Sequence, residues 1–153
     1  RAAPSTCAGV DINARAIAWA RGAYPDFDLR AISPEPPTDH ETGAFDLVYG
    51  ISVLTHLSPE RAQRWIGEVR RLLRPGGLAI LTTYNLTPEE DAALDDRAEV
   101  LAGVGEGRRA YVARFGSAAM RAMCAGRFAV LAHHVDGPAH VIGQAVWVLR
   151  ADG

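Results

Sequence analysis

The stretch that decides the fold runs from Phe45 to Thr83. It reads Phe45-Asp46-Leu47-Val48-Tyr49-Gly50, then Ile51-Ser52-Val53-Leu54-Thr55-His56-Leu57, then an amphipathic segment opening at Ser58, and finally Leu72-Leu73-Arg74-Pro75-Gly76-Gly77-Leu78-Ala79-Ile80-Leu81-Thr82-Thr83. Strand, loop, helix, turn and strand in that order make one unit of an α/β sheet. Phe45–Tyr49 is an apolar run of strand length. Ser58 is a good helix N-cap, and Pro59 takes the first helical position, where its missing N–H costs nothing. Ala62, Ile66, Val69, Leu72 and Leu73 share one face at helical spacing, opposite Arg61, Arg64, Glu68 and Arg71. Pro75-Gly76-Gly77 ends the helix, because proline lacks a donor and glycine accepts positive φ. Leu78–Thr83 is nearly all apolar and is expected to be a central strand.

Outward from this block, Cys7–Ile12 is a short apolar run ending in an acid, which fits a strand buried on both faces. Asn13 is placed to cap a helix that carries Ile17, Ala18, Ala20 and Arg21 to about Gly22. Phe27–Ile32 is a second strand, and Ser33–Gly43, with three prolines, is a loop. Thr87–Arg114 is acidic at first (Glu89, Glu90, Asp91, Asp95, Asp96) and is then interrupted by Gly103, Gly105 and Gly107. One or two helices with a break are expected there, outside the sheet, so that residues 87–115 form a flap. Ser117 is expected to cap a helix to Ala125. Phe128–Val135 and Gln144–Arg150 read as an antiparallel pair joined through Gly137-Pro138. The whole, residues 1–153, is expected to be a single α/β domain with a mainly parallel sheet and a closing antiparallel hairpin.

The bulk numbers exclude several classes. A length of 153 residues, 48% hydrophobic and 22% charged, suits one soluble globular domain. A formal net charge of -2 offers no footprint for nucleic acid or a membrane surface. All 16 basic residues are arginine, which rules out lysine Schiff-base chemistry and a P-loop lysine. Cys7 and Cys124 show no paired or zinc-type spacing, and no secretory segment is visible, so a reducing cytoplasmic setting is expected.

Five places could carry chemistry. Asp11 ends a strand, where an acid can accept both hydroxyls of a ribose, although it can equally cap the following helix. Gly50-Ile51-Ser52 leaves the Phe45–Tyr49 strand on a loop of about seven residues, and longer loops on that edge are usually functional. A small residue there lets a ligand approach the backbone. His56 lies late in that loop as a candidate general base, because imidazole titrates near neutrality; a structural histidine at a helix start is the other reading. His133 and His134 point to opposite sides of a strand and cannot chelate together, with His140 nearby, so no metal site is expected. Trp19 and Trp65 are read as packing residues and Trp147 as a strand residue.

The order Gly9-Val10-Asp11-Ile12-Asn13, then Phe45 to Leu57, then Leu72-Leu73-Arg74-Pro75-Gly76-Gly77-Leu78 resembles the class I S-adenosylmethionine-dependent methyltransferases over roughly residues 7 to 84. The resemblance implies a Rossmann-like sheet with helices on both faces. It implies that Asp11 binds the ribose hydroxyls of S-adenosylmethionine, that Ile12 packs on the adenine, and that Ser33 lies beside it. Gly50, Ile51 and Ser52 would line the methionine portion, with His56 near the sulfonium or the acceptor. The acceptor expected is a small molecule or glycan, methylated on oxygen or nitrogen.

Two departures from the family carry expectations of their own. Ile32 is apolar where the family often places an acid or Asn to reach the adenine amino group. Only eight residues precede Gly9, too few for the family's first strand and Gly-rich loop, so the chain is expected to be an N-terminally truncated fragment that binds the cofactor weakly. In the family the first strand lies between the second and the fourth. Each amide left unpaired there costs on the order of 1–3 kcal/mol against a stability of roughly 5–15 kcal/mol. Either Cys7–Ile12 and Phe45–Tyr49 pair directly, or the piece is unstable alone. The alternatives are a non-catalytic binding or scaffold protein on the same fold and, less well matched, a nicotinamide-binding oxidoreductase.

Overall fold

A computed structural model describes residues 7–102, 105–106, 110–135 and 143–153. The chain divides into two compact units, Arg1–Thr38 and Asp39–Gly153.

In the first unit, strand β1 (Ala8–Asp11) and strand β2 (Asp28–Ala31) pair in parallel through helix α1 (Ala14–Ala23). Asn13 caps α1 as expected, its side-chain oxygen accepting from the N–H groups of Arg15 at 3.1 Å and Ala16 at 3.2 Å. Trp19 is not a packing residue here: it is 72% exposed on α1, and Ile17 is the buried side chain of that helix.

In the second unit, the four-stranded order is β3 (Phe45–Gly50), β4 (Leu73–Tyr84), β8 (Gln144–Ala151) and β7 (Phe128–His134). The β3–β4 pair is parallel, whereas β4–β8 and β8–β7 are antiparallel. The Gly137-Pro138 connection expected between β7 and β8 lies outside the described residues. Helix α2 (Pro59–Leu72) returns from β3 to β4, capped by Ser58 with Pro59 at its first turn, as read from the sequence. Gly76 takes positive φ (74°), but the Pro-Gly-Gly turn does not precede the strand. It is an excursion within β4, since Leu73 already pairs with Phe45 before the register resumes at Leu47 opposite Leu78.

Strand parity then sorts the side chains. Ala79 and Leu81 of β4 with Trp147 and Leu149 of β8 face α2 (Ile66, Val69) and helix α4 (Ser117–Cys124, through Met120) in one core. Leu47, Tyr49 and Leu78 on the other face are exposed. Glu68, expected on the polar side of α2, is buried. Its carboxylate is held by a two-pronged contact from Arg71, both distances 2.7 Å, which supplies the charged partner that burial demands.

In the 87–115 segment the described residues hold one helix, of the one or two expected, α3 (Pro88–Leu94), closed by a Thr87–Glu90 capping box; it is followed by an antiparallel pair that was not expected, β5 (Ala98–Ala102) and β6 (Val112–Phe115). The strands arise because Ala113 and Phe115, at alternate positions, enter the core, and burial outweighs the weak local signal. Ser117 is not the cap of α4. Gly116 occupies that position, and both the N–H and the hydroxyl of Ser117 donate to Asp91 at 2.6 Å, so an acid from α3 satisfies the helix start. Gly116 is required there, because a Cβ would lie 2.2 Å from the Asp95 carbonyl oxygen.

Among the described residues the direct pairing expected between Cys7–Ile12 and Phe45–Tyr49 is not found: β1 is hydrogen-bonded to β2, and β3 to β4.

Two tests follow from this packing. Gly116→Ala is expected to lower the unfolding free energy by about 1–3 kcal/mol through overpacking, read by denaturant melts; an unchanged midpoint would contradict the close approach. Burial pushes the Cys124 thiol from an ordinary 9.0 up to about 11, against opposing pulls from Arg127 and Arg121. The folded state therefore prefers the neutral thiol, and this contribution is full below pH 9.0 and lost as pH rises toward about 11. Alkylation at neutral pH should mark exposed Cys7 and spare buried Cys124 until the chain unfolds; two adducts on the folded protein would refute it.

Candidate functional site

Because β1 and β2 run in parallel, their carboxyl ends share one edge. The Ile32 N–H donates to the Asp11 carbonyl at 3.0 Å, which sets Asp11-Ile12 beside Ile32-Ser33. The capping reading of Asp11 is not realised, because Asn13 caps α1; Asp11 Oδ1 accepts instead from the Asn13 N–H at 2.7 Å, ahead of the helix. Its other oxygen has no partner among the described residues and is open to a ligand hydroxyl. Ile12 is an exposed apolar side chain next to it. The Ser33 hydroxyl accepts from the Glu35 N–H at 3.3 Å.

The second unit presents its own carboxyl edge, where β3 and β4 also run in parallel. Gly50 ends β3, and Ile51 beyond it is exposed. A Cβ at Gly50 would meet Leu81 at 3.4 Å and Val53 at 3.7 Å, ordinary contacts, so the fold itself does not demand glycine there. Ser52 takes φ 61°, which a residue with a side chain rarely adopts. Three hydrogen bonds surround it. Its N–H donates to Thr82 Oγ1 at 2.8 Å, the Thr82 hydroxyl donates to Gln144 Oε1 at 2.6 Å, and Gln144 Nε2 donates to the Ser52 hydroxyl.

His56 closes a short 3₁₀ turn, Leu54–His56, and is half-buried. Its Nδ1 lies 2.8 Å from the Tyr111 carbonyl oxygen. A carbonyl can only accept, so Nδ1 carries the proton, and in the neutral ring Nε2 keeps the lone pair. Two residues on, the Ser58 N–H donates to Glu106, whose carboxylate also pairs with Arg61 at 2.7 Å. Burial, with the nearby carboxylates of Glu106 and Glu60, pushes the Tyr111 phenol up. Beside His56, the Thr55 hydroxyl is buried without a hydrogen-bond partner.

The sequence-predicted residues thus fall into two groups, each brought to a carboxyl edge within its own unit: Asp11, Ile12 and Ser33 in the first, Gly50, Ile51, Ser52 and His56 in the second. Four contributors escaped the sequence reading. Thr82 left a trace, as a polar residue in an otherwise apolar strand. Gln144, Glu106 and the backbone carbonyl of Tyr111 left none, since their roles arise from partners far away in sequence. Chemically, the edge of the first unit offers a carboxylate acceptor beside an exposed aliphatic side chain, and the edge of the second offers an exposed aliphatic side chain, a hydroxyl and an imidazole lone pair.

The chain resembles in fold a solved Pyrococcus horikoshii OT3 protein (21% identity, TM-score 0.68, covering 96% of this chain and 72% of that one). It also resembles a SAM-dependent methyltransferase from Methanosarcina mazei (17%, 0.72, 95% and 81%). A third is the Burkholderia thailandensis 1,6-didemethyltoxoflavin-N1-methyltransferase, solved with 1,6-didemethyltoxoflavin and S-adenosylhomocysteine (15%, 0.68, 95% and 61%). At these identities the likeness speaks for the fold. The family model of a methyltransferase domain matches residues 1–81, more than half of the chain and a span that contains all seven predicted site residues. By that match the chain belongs to the methyltransferase-domain family.

Proposed function

We propose that this chain takes part in cytoplasmic methyl transfer from S-adenosylmethionine to an oxygen or nitrogen of a small-molecule or glycan acceptor. The observation that carries the reading is the family match over residues 1–81, which encloses both groups at the carboxyl edges of parallel strands, where such sheets bind ligands. The residues present fit the cofactor. Asp11 retains a free carboxylate oxygen for a ribose hydroxyl, Ile12 and Ile51 offer exposed apolar surface, and Ser52 offers a hydroxyl. Solved proteins of the same fold bear methyltransferase names, one with a small heteroaromatic acceptor bound.

S-adenosylmethionine supplies a methyl group on a sulfonium, which needs no covalent help from the protein. The chain's own contribution is then positioning and proton removal. Asp11, Ile12 and Ser33 hold the nucleoside, and Gly50, Ile51 and Ser52 line the methionine portion. His56 takes the acceptor's proton on Nε2, with Nδ1–H anchored on the Tyr111 carbonyl. Residues 87–115 serve as the variable segment that meets the acceptor, supported by their contacts with His56, Ser58 and Arg61.

Calorimetric titration of S-adenosylhomocysteine into the protein is expected to give a micromolar isotherm, weakened at least about tenfold by Asp11→Ala. Absence of binding, or binding of NAD in its place, would overturn the reading. His56→Gln is expected to lower kcat at least about a hundredfold for a hydroxyl or amine acceptor with cofactor affinity held; unchanged turnover removes His56 from the chemistry. The alternative, a binding protein without turnover, is distinguished by S-adenosylhomocysteine binding with no methyl transfer to any acceptor.

A further inference from the structure

Ser52 sits at the point where β3 gives way to the loop, in a backbone conformation that a side chain disfavours. The ring that surrounds it explains how the conformation persists. Thr82 is fully buried, at 0% exposure, and Gln144 is 8% exposed, so neither exchanges its bonds freely with water. Their hydrogen bonds close a circuit through Ser52: backbone N–H to Thr82 Oγ1, Thr82 hydroxyl to Gln144 Oε1, and Gln144 Nε2 back to Ser52 Oγ. The three residues come from three elements far apart in sequence, the loop after β3, the carboxyl end of β4 and the first position of β8.

Counting donors and acceptors shows what the ring does to Ser52. The Thr82 oxygen accepts one bond and gives its proton to Gln144. The Gln144 amide accepts through oxygen and donates through nitrogen. Ser52 Oγ is the acceptor of that last bond, so its own proton is not consumed within the ring. Among the described residues no acceptor takes it. The ring thus holds the Ser52 backbone at positive φ and leaves one oriented O–H donor on the loop.

We propose that Thr82 and Gln144 are positioning residues for the cofactor: they act through Ser52, locking its backbone conformation and presenting its hydroxyl as a donor to the bound ligand. This rests on the cofactor reading above for what the loop contacts, while the ring itself stands on geometry. Neither residue touches the ligand in this proposal. The closing hairpin of the sheet therefore has a part in binding, in addition to its pairing with β4.

The test measures S-adenosylhomocysteine affinity of the protein. Gln144→Met and Thr82→Val keep side-chain volume and remove the hydrogen bonds, and each is expected to weaken binding at least about tenfold. Thr82→Ser restores the hydroxyl and is expected to stay within about threefold of the parent. In a Ser52→Gly background, Gln144→Met is expected to add less than about twofold, because glycine holds positive φ unaided and has no hydroxyl to orient. A merely structural role would lower the melting temperature in both backgrounds with affinity unchanged, and that result overturns the proposal, as does an equal loss of affinity in both. Where Gln144→Met does not fold, the Thr82→Val and Thr82→Ser pair supplies the same contrast. If the parent protein binds no S-adenosylhomocysteine, the cofactor reading fails on its own. Amide hydrogen exchange at Ser52 then decides the ring, with Thr82→Val expected to speed it at least about tenfold and an unchanged rate refuting the clamp.

Discussion

Strand β4 is hydrogen-bonded along both sides, to β3 in parallel and to β8 antiparallel, and most of the second unit depends on that double pairing. Once both neighbours are in register, side-chain parity leaves no freedom about which residues enter the core, since a slip of one position would exchange the two faces. Ala79 and Leu81 go inward against α2 and α4, and Thr83 joins them by accepting from the Trp147 indole N–H at 3.0 Å. The buried tryptophan therefore has its one donor satisfied. Thr82, on the alternate face, reaches Ser52 and Gln144 instead. One strand so carries the apolar core on one side and a buried polar circuit on the other.

The loop from Ile51 to Leu57 is held at both ends by groups distant in sequence. The Ser52 end is tied to the sheet through Thr82 and Gln144, and the His56 end to the 87–115 segment through the Tyr111 carbonyl. The Glu106 carboxylate adds a third tie, accepting from the Ser58 N–H and pairing with Arg61. Such ties fix a loop that short-range sequence would leave variable. They also settle the tautomer of His56, which decides which ring nitrogen can accept a proton.

Each unit carries exposed apolar residues on its strands. β1 and β2 pair only with each other among the described residues, and β3 pairs on one side with β4. Val10, Leu47 and Tyr49 on these strands remain exposed, an unusual state for apolar strand residues in a parallel arrangement, where both faces are ordinarily covered. The exposed Trp19 on α1 belongs to the same pattern.

Much was legible in the sequence because it is written in local rules. Asn13 and Ser58 cap their helices since a side-chain oxygen needs only the next turn as partner, and the period of Ala62, Ile66 and Val69 marks a buried helix face. The same local chemistry placed Asp11, Gly50, Ile51, Ser52 and His56 at carboxyl edges. What failed was whatever depended on a distant partner. Glu68 reads as a surface acid until Arg71 and the core enclose it, and Ser117 reads as a cap until Asp91 arrives from α3. β5 and β6 exist because Ala113 and Phe115 find a core that no window of sequence displays. The sequence by itself determined helices α1 and α2 with their caps and the strands of the two parallel pairs, because each is written in local rules. Only the tertiary structure decided the positive φ of Ser52, the proton on His56 Nδ1 and the burial of Thr82 and Gln144, because each is set by a hydrogen bond across 30 or more residues of chain.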